Sequence, residues 1–209
     1  MGNKAAKLSK EDLKELLSKT SFTDKQIKDW YKGFIKDCPS GELSRAKFLD
    51  MYQELFPDGR AKSFYQHVFR TFDADDSGNI DFKEFLLAIS ITQSGNPEQK
   101  LDLAFKLYDI DRNGMIEEDE MCEIIKAIYL MVEDDPKKAD QGPTLRTQHI
   151  FHQMDLNRDG KLSKEEFVKG CLNDKDLFQL LTCSNDQQQQ SKSVNNVNGN
   201  DDEDDDDEE

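Results

Sequence analysis

The sequence predicts an all-α fold of four helix–loop–helix units joined as two pairs, and three observations predict it. First, three twelve-residue windows share one layout: residues 73–84 (DADDSGNIDFKE), 109–120 (DIDRNGMIEEDE) and 155–166 (DLNRDGKLSKEE). In each, positions 1, 3 and 5 hold Asp, Asn or Ser, position 6 is Gly and position 12 is Glu. Second, apolar residues at helical spacing flank every window. Third, position 8 is apolar each time (Ile80, Ile116, Leu162), as a short strand contact between paired loops requires.

Taken in chain order, a degenerate unit comes first. Gly41 at position 6 and Leu43 at position 8 frame residues 36–47 (KDCPSGELSRAK). Trp30, Tyr31 and Phe34 precede this loop, and Phe48, Met51 and Tyr52 follow it. The unit's shape survives but its oxygens do not: position 1 is Lys36, position 3 Cys38, position 4 Pro39 and position 12 Lys47. Such a loop should hold no cation and should serve to cover its partner's apolar face. The second unit runs from Phe64, Val68, Phe69 and Phe72 to Phe85, Leu86 and Ile89. The third runs from Leu101, Phe105, Leu107 and Tyr108 to Met121, Ile124, Ile125 and Ile128. The fourth runs from Ile150, Phe151 and Met154 to Phe167, Val168 and Leu172.

Loop starts at 36, 73, 109 and 155 give intervals of 37, 36 and 46 residues. The long interval contains EDDPKKADQGPT, read as a polar linker, and Gly95-Asn96-Pro97 separates the two halves. Four segments result: a basic start over 1–9, a lobe over 10–92, a second lobe over 98–182, and a tail over 184–209. The second lobe ends in a short helix over 174–182 (DKDLFQLLT). The Gln-, Asn-, Ser- and Asp-rich tail cannot bury enough apolar surface to order itself.

Loops of this layout suit calcium. The ion is hard and takes about six to eight oxygens at roughly 2.3–2.6 Å, so the chain must wrap tightly around it. Glycine at position 6 permits the sharp turn, and the final Glu closes the sphere with both oxygens. These are the marks of the EF-hand. The expected ligands of the first full loop are Asp73, Asp75, Ser77, the Asn79 carbonyl, Asp81 (through water) and Glu84. In the next they are Asp109, Asp111, Asn113, the Met115 carbonyl, Glu117 and Glu120. In the last they are Asp155, Asn157, Asp159, the Lys161 carbonyl, Ser163 (through water) and Glu166. Side-chain carboxylates number four, four and three, so the last site should be weakest. Three Ca2+ ions are expected, with Mg2+ as a resting-state occupant.

Charge and composition exclude other classes. Net charge is −16, of which residues 184–209 carry −9, leaving −16 − (−9) = −7 on residues 1–183. Three Ca2+ would bring that body near neutrality and ease its approach to an anionic membrane; nucleic acid is an unsuitable partner. No run approaches the ~18–20 apolar residues of a membrane span, and no secretory h-region follows Met1. The four cysteines form no metal or CxxC spacing. No nucleophile–base pair or phosphate cradle is present, so the chain is read as a non-enzyme. His149 and His152 lie three apart without a third ligand, and read as ordinary surface or packing histidines. Cys38 beside Pro39 reads as a small packed residue rather than a redox thiol. Sensor EF-hands expose an apolar groove when calcium binds. Trp30, Phe34, Phe48, Tyr52, Phe56, Phe64, Phe85 and Ile89 are its expected lining, with plain core packing as the competing reading for each.

The Cys-Pro loop (KDCPSGEL), WYKGF before it, FPDG after it and HVFRTFD leading into the second unit resemble the neuronal calcium sensor family, the group of recoverin, visinin-like proteins, hippocalcin, neurocalcin and frequenin. The similarity covers roughly residues 1–182. The resemblance implies a cytoplasmic, reversibly membrane-associated sensor in which a myristoyl group on Gly2 is buried without calcium and released with it. It also implies a signalling target that presents an amphipathic helix. Met1-Gly2 with Lys4, Lys7 and Lys10 suits an acylated, membrane-facing end. The usual M-G-x-x-x-[ST] pattern is broken by Ala6, so a free amino end stays open. A cytosolic calcium buffer, or a constitutive EF-hand subunit of a channel or phosphatase complex, are the alternatives.

Overall fold

The computed structural model of the chain describes residues 8–55, 63–132 and 136–182. Gly2, Lys4, Lys7, Phe56, Cys183 and the acidic tail lie outside them. The first half runs α1 (Lys10–Lys19), α2 (Asp24–Asp37), β1 (Glu42–Ser44), α3 (Arg45–Leu55), α4 (Phe64–Phe72), β2 (Asn79–Asp81) and α5 (Phe82–Ser94). The second runs α6 (Pro97–Tyr108), β3 (Met115–Glu117), α7 (Glu118–Val132), α8 (Pro136–Met154), β4 (Lys161–Ser163), α9 (Lys164–Asn173) and α10 (Lys175–Leu181). The expected all-α architecture with short strand contacts is present.

Helix starts follow local chemistry. Thr23–Gln26, Asp81–Glu84, Asn96–Gln99 and Ser163–Glu166 each form a reciprocal capping box that satisfies two orphan amides. Pro97 occupies the first turn of α6, where its missing N–H removes nothing. At the end of α5 the Gly95 amide donates to the Ile91 carbonyl, and only glycine fits there, since a Cβ would lie 2.5 Å from that oxygen. Position 8 pairs the loops as expected: β1 and β2 run antiparallel with Leu43 opposite Ile80, and β3 and β4 with Ile116 opposite Leu162. All four side chains are buried.

Two apolar clusters form. One gathers Leu16, Ile27, Phe34, Phe69, Ile80 and Leu86 from the first half. The other gathers Leu101, Tyr108, Ile116, Met121, Ile124 and Phe167, and takes in Leu177 and Leu181 of α10. Phe64 departs from its sequence neighbourhood. It sits on α4, yet buries in the second cluster. That placement follows from α4 packing against α6 and α7 as well as α3 and α5.

The reading of EDDPKKADQGPT as a linker is corrected, since residues 136–144 belong to α8. Pro136 starts that helix, a position that tolerates proline, and the helix continues through Pro143, which is buried. Contact with α7 explains the override: Gly142 abuts Tyr129 so closely that a Cβ would come within 2.8 Å of the ring. Helix α1 was not anticipated. It is capped by Ser9, whose Oγ accepts from the Asp12 amide at 2.9 Å, and it buries Leu16 fully. Lys83 of α5 reaches back to Asp12 (3.2 Å) and Glu15 (3.6 Å) on it. Being half-exposed, those pairs contribute little beside the burial of Leu16.

Cys38 and Cys171 are both buried, and burial pushes their thiols up, Cys171 to about 12. Neither is a ready thiolate. His149 and His152 are exposed on α8.

Phe69 is fully buried, 5.5 Å from the Phe48 ring, with the Arg45 guanidinium 5.1 Å above its own. Phe69→Ala should cost about 3–5 kcal/mol, read as a lower urea midpoint at unchanged slope without calcium. A second prediction concerns His67, buried on α4 with Nε2 3.5 Å from Glu123 of α7. Burial lowers its affinity for a proton, and Glu123 only partly offsets this. The folded pKa therefore lies below the unfolded one. Stability is full above the unfolded value of about 6.5 and falls as pH drops through it. His67→Gln should flatten the fall in urea midpoint between about pH 7 and 5.5 relative to the parent; superimposable profiles would count against a neutral, buried His67.

Candidate metal centres

Each full loop is a hairpin closed by its own carboxylates. In residues 73–84, Asp73 ends α4 and is buried; its Oδ1 accepts from the Ser77 amide (2.9 Å) and its Oδ2 from Gly78 (3.0 Å). Asp75 Oδ1 accepts the same Ser77 amide at 3.0 Å, and the Ser77 hydroxyl donates to the Asn79 carbonyl at 2.9 Å. Asp81 caps α5 through the Glu84 amide (2.8 Å). Glu84, in the first turn of α5, accepts from Ala74 (2.9 Å), Asp75 (3.2 Å) and Asp81 (3.0 Å). Its Oε1 thus ties the exit helix to the loop's beginning, while Oε2 closes the cap at Asp81.

Residues 109–120 repeat the pattern. Asp109 Oδ2 accepts from Gly114 (3.0 Å), Asp111 Oδ1 from Asn113 (3.0 Å), and Asn113 Oδ1 from Met115 (2.8 Å). Glu120 accepts from Ile110 (2.8 Å), Asp111 (3.1 Å) and Glu117 (2.9 Å). The Glu117 carboxylate, expected at position 9, instead pairs with Lys161 Nζ at 2.7 Å across the β3–β4 contact. Residues 155–166 differ at the closing end. Asp155 Oδ2 accepts from Gly160 (2.9 Å), and Asn157 Oδ1 from Asp159 (2.9 Å). Glu166 accepts from Leu156 (3.2 Å) and Ser163 (3.0 Å) amides, and from the Ser163 hydroxyl at 2.7 Å. That hydroxyl bond holds the Glu166 carboxyl below its usual range, whereas burial holds Glu84 above it.

Backbone geometry separates these loops from residues 36–47. Position 6 is a glycine at φ between +78° and +88° in all four, a conformation that costs glycine nothing. Position 4 also lies in the left-handed region in the three full loops, with Asp76 and Arg112 at +60° and Arg158 at +59°. Pro39 holds position 4 of the remaining loop, and its ring fixes φ near about −65°. Residues 36–47 therefore lack the position-4 turn of the full loops, and Lys36 and Lys47 stand where those loops carry carboxylates.

In two of the three full loops the carboxylates converge as a hard divalent cation requires; Asp155, Asp159 and Glu166 do not draw together in the same way. Carboxylate oxygens of Asp73, Asp75 and Glu84 lie within 4.8 Å of one another, as do those of Asp109, Asp111 and Glu120. Asp109 Oδ1 is buried without a hydrogen-bond partner, a costly state for a carboxylate oxygen that a cation would relieve. Hard, anionic and convergent oxygens match calcium or magnesium rather than a softer metal.

An apolar cavity of about 400 Å3 opens beside the first pair, walled by Trp30, Gly33 and Phe34 of α2, Leu43 of β1, Met51 of α3 and Phe85 of α5. Trp30 meets Phe85 edge-on at 5.9 Å and lies 6.3 Å from Phe22; Phe34 is 5.4 Å from Phe85. Of the other residues expected in a groove, Phe48 is buried among Phe69 and Phe72, and Tyr52 stacks on it at 5.8 Å. Phe64 is buried in the second cluster and Ile89 half-buried on α5. Gly33 and Met51 were not expected there; the glycine inside the α2 pattern was the available signal, since it leaves open space.

The sequence profile of the EF-hand domain pair matches residues 62–126 and 98–172. S-modulin of Aquarana catesbeiana is 42% identical over 186 residues, covering 87% of this chain and 92% of its own. Human recoverin is 40% identical over 186 residues, 87% and 93% covered. Neuronal calcium sensor 1 of Lymnaea stagnalis is 43% identical over 190 residues, 90% and 100% covered. With convergent oxygens, EF-hand pairing and this extent of identity together, the chain belongs to the neuronal calcium sensor family, whose members are calcium sensors and not enzymes.

Proposed function

We propose that this sensor holds three Ca2+ ions, one in each full loop, and that filling of residues 73–84 presents the Trp30–Phe34–Phe85 cavity to an amphipathic helix of a signalling target. Adjacency carries the reading. Glu84, the closing carboxylate of the loop, and Phe85, a wall of the cavity, are consecutive residues in the first turn of α5. A bidentate grip on calcium repositions Glu84, and a packed helix moves as a unit, so Phe85 moves with it. Side chains at positions 1, 3, 5 and 12, with the carbonyls of Asn79, Met115 and Lys161, supply the oxygens. Positions 9 (Asp81, Glu117, Ser163) act through water or support. Mg2+ occupies the loops at rest.

Membrane association completes the proposal. Gly2 carries a myristoyl chain, and Lys4, Lys7 and Lys10 add attraction to anionic lipid. One acyl chain alone binds membranes only marginally, so the lysines are required. No helix among the described residues is long and apolar enough to cross a membrane.

Glu120→Gln should remove one ion from a calorimetric titration that otherwise counts three, through a loss of at least about 100-fold at its loop, beyond what outer-shell changes cost. An unchanged titration would reject the ligand assignment. Glu84→Gln should leave the emission of Trp30, the only tryptophan, unresponsive to calcium. For the membrane step, protein co-expressed with an N-myristoyltransferase and mass-checked at Gly2 should pellet with phosphatidylserine liposomes only with calcium. Acylated protein that stays in the supernatant in both conditions would sink the switch.

A further inference from the structure

The two halves are cross-tied at their metal loops by two arginines. Arg70, in the last turn of α4, leaves its own half: Nη1 donates to the carbonyls of Asp109 (2.8 Å) and Lys106 (3.3 Å), and Nη2 to Leu107 (2.7 Å). Arg112, at position 4 of residues 109–120, reaches the other way. Its Nη2 donates to the carbonyls of Asp73 and Arg70, both at 2.8 Å, and its Nη1 lies 3.6 Å from Asp76 Oδ1. Asp73 and Asp109 are the first oxygen donors of their loops. Each arginine therefore holds the backbone of the residue that opens the other half's loop. Both Asp73 and Asp109 are buried, and their carboxylates are already fixed by Gly78 and Gly114 amides. A shift at one loop's entrance has little slack to absorb it before reaching the other.

We propose that Arg70 and Arg112 are positioning residues that couple ion binding in residues 73–84 to ion binding in residues 109–120, across the two halves rather than within either strand-linked pair; this rests on the calcium reading of both loops. An ion that orders one entrance orders its neighbour's entrance through these bonds, so the second ion meets a loop whose ordering cost is already partly met. The coupling is positive and reciprocal: each ion raises the other's affinity by the same factor. Capping of α4 and α6 by the guanidinium groups is the simpler role for the same bonds. It would stabilise both helices without linking the two affinities.

The test is a coupling cycle in the full-length chain, using calcium itself and the amides of Gly78, Gly114 and Gly160. Each donates to its own loop's first carboxylate, so each reports one loop by NMR. The affinity read at Gly114 is measured with residues 73–84 intact and disabled by Glu84→Gln. With both arginines present, disabling should weaken it by about tenfold, within the usual range of coupled sites. Arg112→Asn keeps a residue tolerant of positive φ and should bring that ratio close to one. A normal Gly160 titration in this variant marks an intact fold, and coupling between residues 109–120 and 155–166 should be unchanged. A ratio that stays near tenfold in Arg112→Asn, or that is one in the parent, overturns the proposal while leaving calcium binding standing. Silence of both Gly78 and Gly114 toward calcium in the parent would overturn the calcium reading as well.

Discussion

The closing glutamate of each full loop is the constraint on which this architecture turns. Glu84, Glu120 and Glu166 stand in the first turn of α5, α7 and α9, and each accepts from amides near the start of its own loop. One side chain thus ties the exiting helix to the start of the loop into which the entering helix leads. The same carboxylates are the ones a calcium ion would claim with both oxygens. Under the proposed ligand assignment, structure and signal share one pair of atoms, and ion binding would rearrange the fold's own fastening. Residues 36–47 show the alternative. With Lys47 in place of the glutamate, that unit is fastened by the Leu43–Ile80 strand contact and by Phe34 and Phe48 in the core.

That difference divides labour within the first pair. A unit closed by hydrophobic packing has no ionic reason to change shape, so under the proposed function it is the fixed wall of the cavity and the carboxylate-closed unit the wall that moves. Trp30, Phe34 and Leu43 belong to the fixed unit, while Phe85 belongs to the unit with carboxylate closure. Loss of ligands at residues 36–47 is therefore compatible with a functional pair. The second pair has carboxylates at both loops. Its core also takes in α10 and Phe64, so apolar surface on that side is already covered from both chain directions.

Much of this was legible because a metal loop is local chemistry. Twelve consecutive residues specify turn, ligands and strand contact, and Ile80, Ile116 and Leu162 paired as their position-8 placement requires. The Gly95-Asn96-Pro97 break was equally local, a helix stop followed by a cap and a proline start. What sequence pattern missed was decided at a distance. Residues 136–144 carry Gly142 and Pro143 and read as linker, yet α8 runs through them because Gly142 allows the Tyr129 ring close approach. Phe64 belongs by spacing to its own unit's stripe, and only the lie of α4 against α6 and α7 sends it into the other core. Arg70 and Arg112 look like ordinary surface cations in one dimension. Their meaning comes from carbonyls some 36 to 42 residues away.

The third full loop shows how a single hydroxyl can separate sites of the same template. At position 9 the first two loops carry carboxylates, Asp81 and Glu117, and the last carries Ser163. Ser163 Oγ donates to Glu166 Oε2 at 2.7 Å, a charge-assisted bond about twice as strong as a neutral one. An ion claiming both Glu166 oxygens must first displace that donor. In residues 73–84 the corresponding side chain cannot donate, because the Asp81 carboxylate is an acceptor, and Glu84 accepts there from the backbone amides of Ala74, Asp75 and Asp81. Fewer carboxylates already lower the attraction at residues 155–166, and the hydroxyl acts in the same direction. With the Asn157 and Asp159 exchange at positions 3 and 5 leaving the count unchanged, both effects come from Ser163 at position 9, and under the proposed function that residue would grade ion binding along otherwise repeated loops.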